Sequence, residues 1–252
     1  MEDLNMSGHS KWHNIQAKKG KTDAARGKIF TKLGREIAVC VKLGGADPNV
    51  NSRLKDLIAK AKSNNMPTDS IQRSIKKAAG EQDSVNYEEK TYEGYGIGGT
   101  AVIVRTLTDN INRTSGDVRH AFDKYSGNMG ATGCVSYMFK RKGIVVLEKT
   151  VTTDVDEVMM TALDAGALDV IDECDCITVE CEPTEVSQVA EKLTANGLNV
   201  LSYEDTLVPD NYVDLDEKQL ATFQKMLELL EDNDDVQEVI HNANLPEEDE
   251  EE

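Results

Sequence analysis

The spacing of apolar residues changes after residue 80, and this change constrains the fold of the chain most. Before it, apolar side chains recur every four positions at Ile29, Leu33, Ile37 and Val41, which is typical of an amphipathic helix. After it, short apolar runs such as TAVIVRTL (100–107) alternate with helical patterns. The sequence therefore predicts an α+β multidomain fold, in which an N-terminal three-helix bundle precedes two α/β sandwich domains.

Capping residues set the limits of the three N-terminal helices. The helices are predicted to begin near Thr22, Asn51 and Pro67, and the first and third to end at the glycines Gly44 and Gly80. Further along, the patterns predict strands at 100–107, 134–139, 144–147, 177–181, 198–203 and 236–240. They predict helices at 115–125, 155–165, 185–195 and 217–230.

Charge is divided unequally between the two parts of the chain. Residues 1–80 contain 16 Lys and Arg against 7 Asp and Glu, a net charge of +9. Residues 81–252 contain 12 against 39, a net charge of −27, which together give the −18 of the whole chain. Because the two parts have net charges of opposite sign, we expect a polyanionic partner that binds only the basic part. Nucleic acid is the leading candidate. The alternative is a basic helical face that is merely solvated.

Composition excludes several other classes of protein. No apolar run approaches the roughly 20 residues that span a bilayer, so we expect no membrane partner. Five cysteines, an odd number in a chain without an export signal, predict free thiols in the cytoplasm. His9 and His13 lack a third ligand, and the cysteines lack the paired spacing of a zinc site, so no metal or cofactor is predicted. Nucleophile-elbow and metalloprotease motifs are missing, so we do not expect an enzyme.

Two basic stretches supply most of the candidate nucleic-acid-binding residues. Lysines can neutralise phosphates while an indole ring stacks on a base. Residues 7–13 have no helical period and are predicted to be a flexible arm. This arm and the first helix contribute Lys11, Trp12, His13, Lys18, Lys19, Lys21, Arg26 and Lys28. The outer faces of the predicted bundle contribute Lys32, Arg35, Arg53, Lys60, Arg73, Lys76 and Lys77. The alternative for the arm is a solvated tail with Trp12 held against the bundle.

A third cationic cluster lies within the acidic part of the chain. Arg113, Arg119 and His120, with Lys124, recur at spacings of one to two helical turns. They are candidate nucleic-acid contacts, and the alternative is that they pair with nearby carboxylates.

Two glycine-rich segments precede strands. In a dinucleotide-binding fingerprint the glycines follow a strand and open a helix, whereas GYGIGG (94–99) leads into a strand and so indicates a turn. The backbone amides of GNMGATG (127–133) could contact phosphate or RNA, but an ordinary loop is the simpler interpretation.

Several motifs resemble those of the YebC family. The longest are MSGHSKWHNIQAKK (6–19) and DAARGKIFTKLGREI (23–37), and shorter ones are YEGYG (92–96), VRHAF (118–122) and GCVSYMF (133–139). The resemblance covers residues 6 to 242. It departs from the family pattern at Ile97, where many members have proline, and at Tyr125, where many have histidine.

The resemblance implies a helical domain, a split α/β domain, and a ferredoxin-like domain inserted into the second. Applied to this chain, it predicts a basic helical domain at 6–80, a second domain at 81–134 plus 204–243, and an insert at 135–203. The acidic residues 244–252 are predicted to be a disordered tail.

The resemblance also implies a regulator of gene expression, with two possible targets. Members of the family are described as probable DNA-binding transcriptional regulators. A mitochondrial relative activates translation, and bacterial members are linked to the relief of ribosome stalling at proline runs, so ribosomal or transfer RNA and the ribosome are the alternative partners. The abundance of lysine over arginine predicts weak sequence discrimination on DNA.

Overall fold

The computed structural model describes residues 23–80, 86–173 and 176–245. Within these residues the chain forms two compact units. One comprises residues 23–80, 86–137 and 213–243, and the other is built on residues 138–212, which we call the insert.

Helices α1 (Asp23–Gly44), α2 (Ser52–Ser63) and α3 (Thr68–Ala79) form the predicted bundle. The regular spacing of apolar residues gives each helix one inward face. The shared core contains Leu33, Ile37, Cys40, Val41, Leu54, Leu57, Ala61, Met66, Ile71 and Ile75.

Asn51 determines how α1 ends and α2 begins. Its side-chain oxygen accepts a hydrogen bond from the Leu54 amide at 3.1 Å, which caps α2. Its side-chain nitrogen donates to the carbonyl oxygens of Cys40 at 3.1 Å and Gly45 at 2.9 Å, near the end of α1. Gly45 has φ +86°, the left-handed conformation that ends many helices.

A four-stranded antiparallel sheet follows the bundle in the same unit. Its strands are β1 (Glu88–Tyr95), β2 (Ala101–Thr108), β3 (Asn128–Met129) and β9 (Val236–His241). Their order in the sheet is β3-β1-β2-β9. Helix α4 (Ile111–Lys124) contacts β1 and β2, and helix α7 (Glu217–Glu231) contacts β9. Phe122 of α4 and Phe223 of α7 are fully buried in this packing.

The insert has the order β-α-β-β-α-β of a ferredoxin-like domain. Its elements are β4 (Phe139–Glu148), α5 (Val155–Ala165), β5 (Asp169–Asp172), β6 (Cys176–Cys181), α6 (Val186–Ala195) and β7 (Val200–Pro209). The antiparallel sheet has the order β5-β6-β4-β7, so the first and third strands of the insert are central. Both helices bury apolar residues against one face of the sheet, with Val158 and Leu193 in the same core.

The structure differs from the predicted elements in several places, and strands β3 and β5 are among the elements that were not predicted. A strand over 134–139 is not formed, since Ser136–Met138 is a short 3-10 helix and β4 begins at Phe139. Helix α4 begins four residues before the predicted start, because the Asn110 side chain accepts a hydrogen bond from the Arg113 amide. Strand β1 was not predicted, because most of its residues are polar and exposed.

Another difference concerns the end of the insert. Strand β7 pairs with β4 as far as Pro209, so the insert continues past residue 203, where the sequence placed its end. Two short strands complete the described chain, β8 (Val213–Asp214) and β10 (Ala243–Asn244). Asn244 therefore belongs to a strand, although the sequence placed it in the disordered tail.

Candidate nucleic-acid interface

Three cations of α1 face an acidic loop of the same unit. Lys28, Lys32 and Arg35 are spaced four and three residues apart, which places them on one side of the helix. Lys28 Nζ lies 2.8 Å from Asp232 Oδ1, and Lys32 Nζ donates to the carbonyl oxygen of Glu231 at 2.7 Å. The sequence predicted these cations on an outer face open to phosphate, whereas the structure uses them in intramolecular contacts.

Arg35 reaches the one buried carboxylate of that loop. Its Nη1 lies 2.6 Å from Asp235 Oδ1 and also donates to the carbonyl oxygen of Asp234 at 2.7 Å. The guanidinium carbon lies 5.5 Å from the centre of the Tyr87 ring, a cation–π distance. The Arg35 guanidinium is thus held by three residues of the same chain, Tyr87, Asp234 and Asp235.

Arg113 occupies the other oxygen of the same carboxylate. Its Nη2 lies 2.6 Å from Asp235 Oδ2 and 2.8 Å from Asp109 Oδ1. The hydroxyls of Thr114 and Thr108 lie 2.8 and 3.2 Å from Asp235 Oδ2. Of the two interpretations that the sequence left open for Arg113, the structure favours pairing with carboxylates.

These contacts determine the charge state of the Asp235 network. Burial alone would raise the pKa of Asp235, but hydrogen bonds from Arg113, Thr114 and Arg35 outweigh it and hold the pKa below its ordinary value. Hydrogen bonds to Asp235 and Asp109 raise the pKa of Arg113. The network therefore consists of one ionised carboxylate shared by two guanidinium groups.

The cations that remain on the solvent side lie mainly on α2 and α3. Arg73, Lys76 and Lys77 share one face of α3, opposite the buried Ile71 and Ile75. Lys60 and Lys62 lie in the last turn of α2 and are exposed. With Arg26, which is also exposed, they form what we call the basic bundle surface: Arg26, Lys60, Lys62, Arg73, Lys76 and Lys77.

A shallow groove adjoins this surface at the turn between α2 and α3. Arg26, Gly27, Phe30 and Asn65 line it. Asn65 has φ +59°, a left-handed conformation that asparagine tolerates better than most residues and that allows the tight turn. The groove therefore combines a cation, an aromatic ring and an amide, three groups that nucleic acids commonly contact.

The remaining predicted site residues are dispersed. Arg53 forms a largely exposed ion pair with Glu89, with Nη2 and Oε1 3.1 Å apart. Arg119 and His120 are exposed on α4. The arm residues lie outside the described part of the chain: Lys11, Trp12, His13, Lys18, Lys19 and Lys21.

The glycine loop at 127–133 is held by a buried carboxylate that the sequence analysis did not single out. Glu93 of β1 accepts hydrogen bonds from the amides of Gly133, Val135 and Ser136 at 2.8 to 3.0 Å. The Gly130 amide donates to the carbonyl oxygen of Glu93 at 2.8 Å. These amides are therefore satisfied within the protein, and an ordinary structural loop is the interpretation that the geometry favours over phosphate binding.

The same bonds control the ionisation of Glu93. Burial would raise its pKa, but the three backbone amides lower it below the ordinary value. Neither Glu93 nor Asp235 carries a local sequence pattern that predicts its role, because the partners of each lie about 40 or more positions away.

The described residues give little sign of a reactive thiol, a metal site or a membrane-spanning helix. The four described cysteines form no disulfide bond: Cys40, Cys134, Cys176 and Cys181. Burial raises the pKa of Cys181 to about 11, which leaves its thiol protonated at neutral pH. Between residues 23 and 245, leaving aside 81–85 and 174–175, no group of three or more His, Cys, Asp or Glu could hold a metal ion. None of the helices in that part of the chain is long and apolar enough to cross a membrane.

Comparison with known proteins identifies the class of this fold. Residues 10–81 match the family described as TACO1/YebC protein N-terminal domain, and residues 87–243 match TACO1/YebC second and third domain. A crystal structure of a conserved hypothetical protein, Aq1575 from Aquifex aeolicus, has a TM-score of 0.80 and 43% sequence identity to this chain. The match covers 92% of this chain and 96% of the Aquifex aeolicus chain.

Curated relatives are similar along almost their whole length. A probable transcriptional regulatory protein of Clostridium beijerinckii is 58% identical over 242 residues, and one of Clostridium botulinum (strain Okra) is 59% identical over 242 residues. Each alignment covers 96% of this chain and 98% of the relative. The chain is thus similar to proteins that are named probable transcriptional regulatory proteins. It belongs to the TACO1/YebC family.

Proposed function

We propose that this protein is a nucleic-acid-binding regulator of gene expression that holds the phosphate backbone with its basic bundle surface. One observation carries the proposal. Lys28, Lys32 and Arg35 are engaged within the chain, whereas Lys62, Lys76 and Lys77 are exposed and form no ion pair with another described residue. Exposed lysines without carboxylate partners are suited to phosphate, which supplies most of the affinity of such complexes.

The available side chains favour backbone contact over the reading of base sequence. Arginine is the side chain that most often recognises a base edge by two hydrogen bonds. Arg35 is held by Asp235, Arg53 pairs with Glu89, and Arg73 donates its Nε to the carbonyl oxygen of Asp69 at 3.3 Å. We therefore expect binding that depends on charge and shape, with weak sequence discrimination.

DNA is the target that the relatives' names suggest, since they are called probable transcriptional regulatory proteins. Structured RNA, including that of the ribosome, is a second candidate, and it is favoured because Arg35, Arg53 and Arg73 of the bundle each contact another group of the chain. The proposal assigns the protein a binding role without catalysis, in the cytoplasm, where the free thiols would persist.

A binding titration of the full chain tests the proposal. Fluorescence anisotropy with duplex DNA and with an RNA hairpin would compare the wild type with the variant K62A/K76A/K77A. The control variant K90A/K218A/K225A removes three exposed lysines from the sheet domain of the same unit, so the net charge changes equally. We expect the first variant to bind about tenfold or more weakly at low salt and the control to bind within about twofold of wild type.

The outcomes separate the possibilities. Equal losses in both variants would mean that only net charge matters, and no loss in either would refute the bundle surface as the contact. A preference of about 10³-fold for one duplex sequence would support a sequence-specific DNA regulator. Equal binding of unrelated duplexes, with the hairpin bound at least as tightly, would support the RNA candidate.

A further inference from the structure

The insert exposes an apolar stripe on helix α5. Met159, Met160 and Leu163 are 37%, 69% and 53% exposed, whereas Val158 and Ala162 of the same helix are buried in the core. Leu163 is four residues from Met159 and three from Met160, so the three side chains are neighbours on the helix surface. Contiguous exposed apolar side chains on a folded domain mark an interaction site more often than scattered ones do.

The cations of the insert are all occupied within the insert itself. Residues 138–212 contain five Lys and Arg against sixteen Asp and Glu. Four of the five cations form ion pairs, Lys140 with Asp210, Arg141 with Asp205, Lys142 with Glu180 and Lys149 with Asp172. The fifth, Lys192, donates to the carbonyl oxygen of Ala165 at 2.8 Å. The insert therefore presents a large excess of carboxylates to its surroundings.

Carboxylates flank the apolar stripe directly. Asp156, Glu157 and Asp164 are exposed on α5 and form no ion pair with another described residue. Asp156 and Asp164 lie four residues before and after Met160, and Glu157 lies three residues before it. The apolar stripe is thus bordered by negatively charged side chains.

We propose that this stripe is a docking site for a cationic amphipathic segment of another protein. The apolar side of such a segment would cover Met159, Met160 and Leu163, and its lysines or arginines would pair with the flanking carboxylates. Methionine side chains are flexible and suit a surface that accepts helices of varied sequence. Nucleic acid and anionic membranes carry the wrong charge for this site. The protein would then hold nucleic acid with the bundle and a basic protein with the insert.

A synthetic helical peptide with leucines on one face and lysines on the other tests the site in the full-length protein. Two matched peptides serve as controls, one with glutamate in place of lysine and one with serine in place of leucine. The site variant is M160S/L163S. The control variant is L43S/V50S, which replaces two side chains that are 77% and 81% exposed in the bundle.

We expect the lysine–leucine peptide to bind the wild type and the control variant equally, and M160S/L163S about tenfold more weakly. Neutralising the border with D156N/E157Q/D164N should weaken binding to a similar degree and reduce its dependence on salt. Either matched peptide binding as tightly as the lysine–leucine peptide would refute the proposal. Equal affinity of the peptide for M160S/L163S and for L43S/V50S would also refute it. A third refuting result is that the wild type self-associates in analytical ultracentrifugation and M160S/L163S does not, since the stripe would then bind a second copy of this chain.

Discussion

Arg35 Nη1 lies 2.6 Å from Asp235 Oδ1, and this contact joins helix α1 to the loop that precedes β9, 200 positions further along the chain. The side chains of Arg35 and Asp235 are 18% and 4% exposed. Because Arg113 holds the second carboxylate oxygen, one aspartate connects the bundle, helix α4 and the last strand of the sheet. The basic bundle is therefore attached to the sheet domain by charges that the sequence assigned to nucleic acid.

Asp235→Asn should destabilise the protein by about 2 kcal/mol, because charge-assisted hydrogen bonds from two arginines become neutral ones. Denaturation by urea, followed by circular dichroism, measures this change. Asp232→Asn is the matched control. Asp232 is 71% exposed in its pair with Lys28, so we expect a change of about 0.5 kcal/mol or less. Equal effects of the two substitutions would show that the buried network does not stabilise the fold.

Stability should also fall in acid, because Glu93 and Asp235 titrate below their ordinary values of 4.5 and 3.8 in the folded protein. A carboxyl whose pKa is lowered by folding stabilises the protein fully above its unfolded pKa, and that stabilisation is lost as pH falls through the folded pKa. We therefore expect the free energy of unfolding to decrease below about pH 4.5, and to decrease less in E93Q/D235N. Urea titrations at several pH values measure the free energy of unfolding. If the two carboxyls were not the cause, plots of this free energy against pH would be parallel for the wild type and the variant.

A second pH window belongs to His241. Burial lowers its pKa from 6.5 to about 4, and its Nδ1 has no hydrogen-bond partner. Between these two values the unfolded chain binds a proton that the folded protein does not, so stability decreases as pH falls from 6.5 towards 4. His241→Phe should remove this pH dependence above about pH 4.5, where the loss of stability from Glu93 and Asp235 has not yet begun, whatever its effect on stability at neutral pH.

The local elements of the fold could be predicted well from the sequence, whereas the contacts between distant segments could not. The apolar period of α1 and the capping side chain of Asn51 act over a few residues, so their effects are visible in the sequence. Strand β1 has mainly polar residues, and it is a strand because β2 pairs with it from Glu88 to Tyr95. Tertiary pairing overrode local preference there.

The candidate site was predictable in its charge but not in its geometry. Lys28 and Lys76 carry the same charge and both lie on helices, and no local feature separates them. Only the position of Asp232, which lies 204 residues from Lys28, shows that one lysine is engaged and the other is exposed. Similarly, Glu93 controls the loop at 127–133 through amides about 40 positions away.

Two glycines offer a matched test of the close packing between β1, β3 and α4. A Cβ atom at Gly94 would lie 2.5 Å from the carbonyl oxygen of Asn128 and 2.8 Å from the Phe122 ring, so Gly94→Ala should destabilise by about 1–3 kcal/mol. A Cβ atom at Gly116, inside helix α4, would meet nothing within 4 Å. Gly116→Ala should therefore stabilise by about 0.5–1 kcal/mol, since alanine is the better helix former. Thermal unfolding measures the melting temperature of each variant. Shifts of the same sign for Gly94→Ala and Gly116→Ala would contradict this packing.

The salt dependence of nucleic-acid binding should distinguish the exposed lysines from the engaged ones. Each phosphate neutralised on duplex DNA adds about −0.9 to the slope of log K against log salt. If Lys76 and Lys77 each contact a phosphate, K76A/K77A should make that slope shallower by about 1.8. K28A/K32A removes the same charge from the side of α1 that faces residues 231–235, and we expect it to leave the slope almost unchanged. Titrations from low to moderate salt measure both slopes, and a larger change for K28A/K32A would show that the bound protein opens the contact between α1 and this loop.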